Sequence, residues 1–72
     1  MNKAEQKEYF LNNMAEHIAR RPEKFFVAKL AGHDGENNVW SIKMGDYDFV
    51  ANLFGIDEVR TVAKRSGKEM VI

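Results

Sequence analysis

Residues Phe25–Met44, FFVAKLAGHDGENNVWSIKM, constrain the fold more than any other part of the chain. Read with a period of two, the first half places Phe26, Ala28 and Leu30 on one side, and the second half does the same with Trp40, Ile42 and Met44. The opposite side carries Val27, Lys29, Val39, Ser41 and Lys43. One apolar and one mixed side is the pattern of a strand pair half-buried in a core. Between the strands lies GHDGENN, rich in the residues that reverse chains.

The two patterns also fix a register. Ala28 is expected opposite Ile42, Phe26 opposite Met44 and Leu30 opposite Trp40. A two-residue Asp34-Gly35 turn would pair even with odd positions. The expectation is therefore an odd-length loop, with Gly35 or Asn37 at positive φ. A one-residue slip would turn Trp40 and Ile42 into water.

The flanking segments supply the cover. Asn2 can cap a helix whose third residue onward is Glu5, and Phe10, Leu11, Met14, Ala15 and Ile18 recur at three and four. Arg20 and Arg21 suit the carbonyl end of that helix, and Pro22 stops it. After the hairpin, Gly45 breaks the strand. Asp46 then caps a short helix to about Phe54, with Phe49, Val50, Leu53 and Phe54 as its apolar face and Gly55 as a left-handed C-terminal cap.

The last segment, VRTVAKRSGKEMVI, fits two descriptions. We read it as two strands about a Ser66-Gly67 turn, Lys64 facing Glu69 and Val62 facing Val71. The same residues fit a helix capped by Asp57, with Val59, Val62 and Ala63 inward and Gly67 as its stop. The expected architecture is α+β in the order α-β-β-α-β-β, a single domain over residues 1–72, with one antiparallel sheet and the helices packed on its apolar face.

Composition narrows the function classes. At 72 residues the chain buries only roughly 60% of its unfolded surface, so stability is marginal and self-association as a homodimer is plausible. It has no cysteine, which excludes disulfides and thiolate metal sites and points to a reducing, cytoplasmic setting. No apolar run approaches the ~20 residues of a membrane span and no signal-peptide core is visible, so the chain reads as complete, untargeted and away from membranes. The 11 basic and 11 acidic side chains cancel, unlike the basic excess of most nucleic-acid binders.

Charge is nevertheless segregated. Asp46, Asp48, Asp57 and Glu58 form an acidic run, with Tyr47 among them as an exposed aromatic. They are the candidate surface for docking on a larger protein. Arg60, Lys64, Arg65 and Lys68 form a basic cluster that can follow a phosphate backbone, extended by Arg20, Arg21 and Lys24 if the fold gathers them.

Two short stretches resemble nucleic-acid motifs. FVANLFGIDEVRTVAKRSG is similar in outline to a helix-turn-helix, with small Ala51, turn Gly55 and a basic second helix that would bring Arg60, Lys64 or Arg65 to the DNA. It departs from that pattern where the apolar position six residues after the turn glycine falls on Thr61. Gly32-His33-Asp34-Gly35 spells the GxxG of KH domains, where the loop joins two helices; between strands it reads as a hairpin turn.

Catalytic chemistry is not indicated. His17 and His33 lack the three or four convergent partners a metal needs. No Ser-His-Asp order, HExxH or phosphate-cradling loop is present, and Ser66 reads as a turn residue. The expectation is a non-enzymatic regulatory or inhibitory protein, without cofactor, that docks on a larger protein. Its size suggests a phage or mobile element. The alternative is a small nucleic-acid-binding protein using the basic C-terminal segment.

Overall fold

In a computed structural model describing residues 2–49 and 54–72, the chain forms α1 (Lys3–Ala19), β1 (Phe25–Asp34), β2 (Asn37–Met44), β3 (Tyr47–Phe49), α2 (Ile56–Ser66) and β4 (Glu69–Val71). The sheet order is β3-β2-β1-β4; β1 pairs antiparallel with β2 and parallel with β4. The fold is α+β, but the order is α-β-β-β-α-β and the sheet is mixed.

α1 begins as the cap predicts: the Asn2 side-chain oxygen accepts the Glu5 N–H at 2.8 Å. Its stripe buries Leu11, Ala15 and Ile18, with Phe10 and Met14 packed at the margin. In the sheet below, Phe26, Ala28, Ile42 and Met44 are buried. α2 completes the cover with Val59, Val62 and Ala63. Both helices therefore lie on one face of the sheet.

The hairpin register holds at its centre, with Ala28 opposite Ile42 and Leu30 opposite Trp40; the paired residues begin at Val27 and Lys43. The loop is shorter than expected. Asp34 pairs with Asn37 across a two-residue Gly35-Glu36 turn, Gly35 having φ +61. A glycine at positive φ in the first central position is the type II′ arrangement. This turn pairs even with odd positions, and a bulge between Leu30 and Gly32 absorbs the odd residue. The bulge, rather than an odd loop, reconciles the turn with the two apolar faces.

Three expectations are overturned. First, Asp46 caps no helix. Gly45 at φ +60 and Asp46 form a second two-residue turn, and β3 pairs with β2 through Met44↔Tyr47, Lys43↔Asp48 and Ile42↔Phe49. Gly-Asp is II′ hairpin chemistry, and Lys43 opposite Asp48 is a favourable cross-strand pair. The remainder of the expected helix, residues 50–53, lies outside the described residues.

Second, Gly55 is not a left-handed cap. Its φ is −176, extended backbone at the start of α2. Phe49, the first residue of the helix-turn-helix outline, lies in β3, and residues 50–53 of its first helix lie outside the described residues.

Third, residues 57–66 are helix, not strand. Val59, Val62 and Ala63 follow the spacing of one helical side, whereas a strand would split Val62 from Ala63. Asp57 and Glu58 occupy the first turn and Lys64 and Arg65 the last, as the helix dipole favours. Gly67 ends the helix at φ +73, its N–H donating to the Ala63 carbonyl at 3.1 Å.

The helix also explains why β4 is parallel to β1. A Cβ on Gly55 would lie 3.9 Å from the Asn38 carbonyl, so α2 starts near the β1–β2 turn. It then runs back along the sheet and releases the chain beside Phe25, which pairs with Glu69. A strand starting there runs in the direction of β1. Both helices thus end at the end of the sheet where the Gly45-Asp46 turn lies.

Candidate functional site

The β2–β3 turn presents the densest set of the sequence-derived candidates. Asp46 is exposed at its tip, and Tyr47 and Asp48 follow on β3. Because side chains alternate, Tyr47 lies on the helix side with Phe49, while Asp48 lies on the opposite face beside Lys43. The rings of Tyr47 and Phe49 are 4.7 Å apart, tilted by 50°. The Arg21 guanidinium sits 5.3 Å from the Tyr47 centroid, within cation–π range.

Arg21 is itself fixed. Its Nε donates to Glu23 Oε1 at 3.0 Å and its Nη2 to Glu23 Oε2 at 3.0 Å, a two-pronged pair. The same carboxylate reaches to 3.4 Å from the place of a Cβ on Gly45. The segment after α1 thus braces the turn from below. Tyr47 remains 53% exposed.

The acidic run divides. Asp57 and Glu58 begin α2 near Asn38, at the other end of β2 from Asp46, about 20 Å of strand away. Glu58 accepts from Lys7 Nζ at 2.7 Å, and this hydrogen bond holds its carboxyl below the usual value despite partial burial. Asp57 pairs with Arg60 at 3.3 Å. Five candidates adjacent in sequence become a hairpin tip and a helix start.

The basic candidates are drawn into structure. Arg65 forks onto Glu8 at 2.6 and 2.7 Å and donates to Asn12 Oδ1 at 2.9 Å. That pairing lowers the Glu8 pKa and raises that of Arg65. Arg60 faces Asp57, and Lys64 is exposed. Lys68 Nζ donates to the Arg21 carbonyl at 2.9 Å, and the Glu69 N–H donates to the Lys24 carbonyl at 3.3 Å. The fold thereby gathers Arg21 and Lys24 with Lys68 where both helices end, with Glu23, Asp46 and Glu69 interspersed.

One surface was not singled out from the sequence. Among the described residues no element packs on the sheet face away from the helices, which carries Phe25 and Val71, 54% and 46% exposed, with Val27 between them. Lys29, Lys43, Asp48 and Glu69 surround this centre. The available signal was Val27 and Val39 on the side read as mixed, together with β-branched Val71.

Among the described residues, no group of three or more His, Asp or Glu could hold a metal, and no helix is long and apolar enough to cross a membrane. An open cleft at the start of α1 is lined by Lys3, Gln6, Lys7, Phe10 and Phe54. No protein-family model, curated protein or solved structure matches the chain.

Proposed function

We propose that this is a non-enzymatic protein that acts by docking on a larger protein through the β2–β3 turn, with Tyr47 as the anchor, Asp46 beside it at the tip and Asp48 on the other face of the strand. The observation that carries this reading is the bracing of a half-exposed tyrosine by contact with both the Phe49 ring and the Arg21 guanidinium. An amphipathic ring already held in place loses little freedom on binding, which is the property of interface hot spots. Asp46 suits a partner surface with a basic side chain beside an apolar pocket, and Asp48 adds negative charge to the hairpin end. Asp57 and Glu58, turned to ion pairs at the far end of β2, are assigned to the stability of α2.

The test is recovery of the partner from the source cell with the immobilised protein, against Tyr47→Ala and Asp46→Lys/Asp48→Lys. A partner held by the native chain and lost by about tenfold or more with Tyr47→Ala supports the reading. Equal recovery by all three, or no specific partner, ends it.

The gathering of Arg21, Lys24 and Lys68 at the shared end of the helices favours nucleic acid as a second reading. It requires binding to short duplexes or single strands that weakens steeply with salt. No binding at low salt would remove it.

A further inference from the structure

We infer that the open edge of β1 pairs antiparallel with the same edge of a second copy of this chain, so that the two sheets join into one. This edge is separate from Tyr47, which lies on β3 at the other margin of the sheet.

The edge comes first. β1 runs to Asp34, but β4 covers it only as far as Val27, which pairs with Val71. Among the described residues no strand pairs with the remaining stretch, 28–34, on that side. Every residue of it beyond Ala28 is exposed. The turn decides which backbone groups face outward. Asp34 and Asn37 close a two-residue turn and so exchange hydrogen bonds, and bonded and non-bonded pairs alternate from there. With the bulge counted, Ala28, Leu30 and His33 stand in non-bonded pairs and turn their N–H and C=O groups to the open edge. Two contacts agree with this phase. The Lys24 carbonyl, in step with Ala28 and Leu30, accepts from the Glu69 N–H on the β4 side. The Lys29 carbonyl, out of step with them, accepts from Ser41 Oγ on the β2 side.

The register selects the occupant. From Leu30 to His33 the outward groups stand three residues apart instead of two, because the bulge adds one. A reversed copy of the same strand carries the same interval. Set a two-fold axis perpendicular to the sheet between Ala31 and Gly32. Leu30 of each copy then exchanges hydrogen bonds with His33 of the other, and the pairing is made twice.

The side chains fall into place with the backbone. Lys29 and Asp34 lie on the face away from the helices, and among the described residues neither has an ion-pair partner. In this register Lys29 of each copy stands opposite Asp34 of the other, a favourable cross-strand pair. A lysine on an edge ordinarily deters a second strand, and here the reversed copy brings the carboxylate that accepts it. Leu30 lies on the helix side yet is 56% exposed. It comes to stand opposite His33 and diagonal to the second Leu30, within reach of both. Ala31 meets Gly32 and Ala28 meets Gly35, so no charged residue faces its own counterpart or a like charge.

One strand pair is a contact at the small end of interface sizes, so the association is weak and reversible. Sedimentation equilibrium from low micromolar to submillimolar concentration tests it. The expected result is a rise toward twice the 8.3 kDa of the chain. Lys29→Asp and Asp34→Lys, both at exposed positions, each set like charges opposite one another and should each weaken association about tenfold or more. An equimolar mixture of the two variants should restore it, because each copy then meets opposite charge at both places. His33→Pro removes an N–H from the open edge and spares the β2 ladder, so it should weaken association as much while the circular dichroism stays native. Tyr47→Ala should leave the mass unchanged, so the dimer and the docking reading fail separately. A mass of one chain throughout, a dimer indifferent to Lys29→Asp and His33→Pro, or a mixture no more associated than its parts overturns the inference.

Discussion

The two faces of the sheet are built from alternate residues of the same strands, yet they meet different surroundings. Phe26 is fully buried and Phe25, its neighbour in β1, is 54% exposed. The difference is not in the side chains, which are identical. It lies in what the fold lays over each face: α1 and α2 on one, and among the described residues no element on the other. An apolar strand position contributes to stability only through its cover.

Substitution of the two phenylalanines is the largest test. Phe26→Ala should cost about 3–5 kcal/mol in urea unfolding, from lost burial plus the cavity left behind. Phe25→Ala should cost under about 1 kcal/mol when the protein is dilute. If Phe25→Ala proved as costly as Phe26→Ala at the lowest concentration, the division between faces would be wrong.

The turns decide which face each side chain takes, so they offer the next test. Gly35 and Gly45 adopt φ near +60, where an alanine is strained. Gly35→Ala and Gly45→Ala should each cost about 1–2 kcal/mol. A Cβ on Gly45 would meet the Glu23 carboxylate at 3.4 Å, an ordinary van der Waals contact, so the strain of positive φ sets the cost at both positions. Gly32→Ala, with open space around its Cβ and no positive φ, should be near neutral. Equal costs at Gly32 and Gly45 in thermal unfolding would argue against the two II′ turns.

How far the fold was legible follows from which contacts decide each element. The Phe26–Leu30 and Trp40–Met44 alternation and the Asn2 cap with its Leu11, Ala15 and Ile18 stripe are local patterns, and both elements were readable from them. Gly45-Asp46 was misread because a glycine before an aspartate fits a strand end and helix cap as well as a turn. Only the pairing of Tyr47 with Met44 separates the two. Residues 59–63 fit helix or strand in isolation. The outcome depends on β4 finding β1 more than forty positions earlier in the chain. The site was half legible: Asp46, Tyr47 and Asp48 stay together because a tight turn holds them. Asp57 and Glu58 move away because α2 starts at the opposite end of β2. The apolar centre of the other face left only a faint sign, Val27 and Val39 on the side read as mixed, because Phe25 and Val71 join it only when β4 pairs with β1.

On the covered side, the helix layer is fastened at its rim by Lys7–Glu58 and Glu8–Arg65. Both carboxyls have depressed folded-state pKa values, chiefly through hydrogen bonds from Lys7 and Arg65. A depressed acid stabilises the fold above its unfolded pKa and loses that contribution as the pH falls through the folded value. The stabilisation should therefore be complete at neutral pH, begin to decline near the ordinary value of 4.5 and vanish below the depressed values. Glu8→Gln and Glu58→Gln should lower the neutral-pH midpoint of unfolding and flatten this acid-side decline. An unchanged pH profile in the double variant would show that these pairs do not fasten the two helices.

The smallest effect applies the same reasoning within a single helical turn. Asp57 and Glu58 are adjacent acids at the start of α2, each with a basic partner. The Glu58 side chain is 17% exposed and reaches α1 through Lys7, whereas Asp57 is 89% exposed and reaches only Arg60 of its own helix. A solvated pair within one helix is worth little, and the pair tying two helices together resists separation of the layer. Asp57→Asn should therefore shift stability by no more than about 0.5 kcal/mol, most of it through the helix dipole. Glu58→Gln should shift it by more. If urea unfolding reversed that order, cover would not be what distinguishes one charged position from its neighbour. The contrast between the two faces of the sheet would then need a cause other than burial.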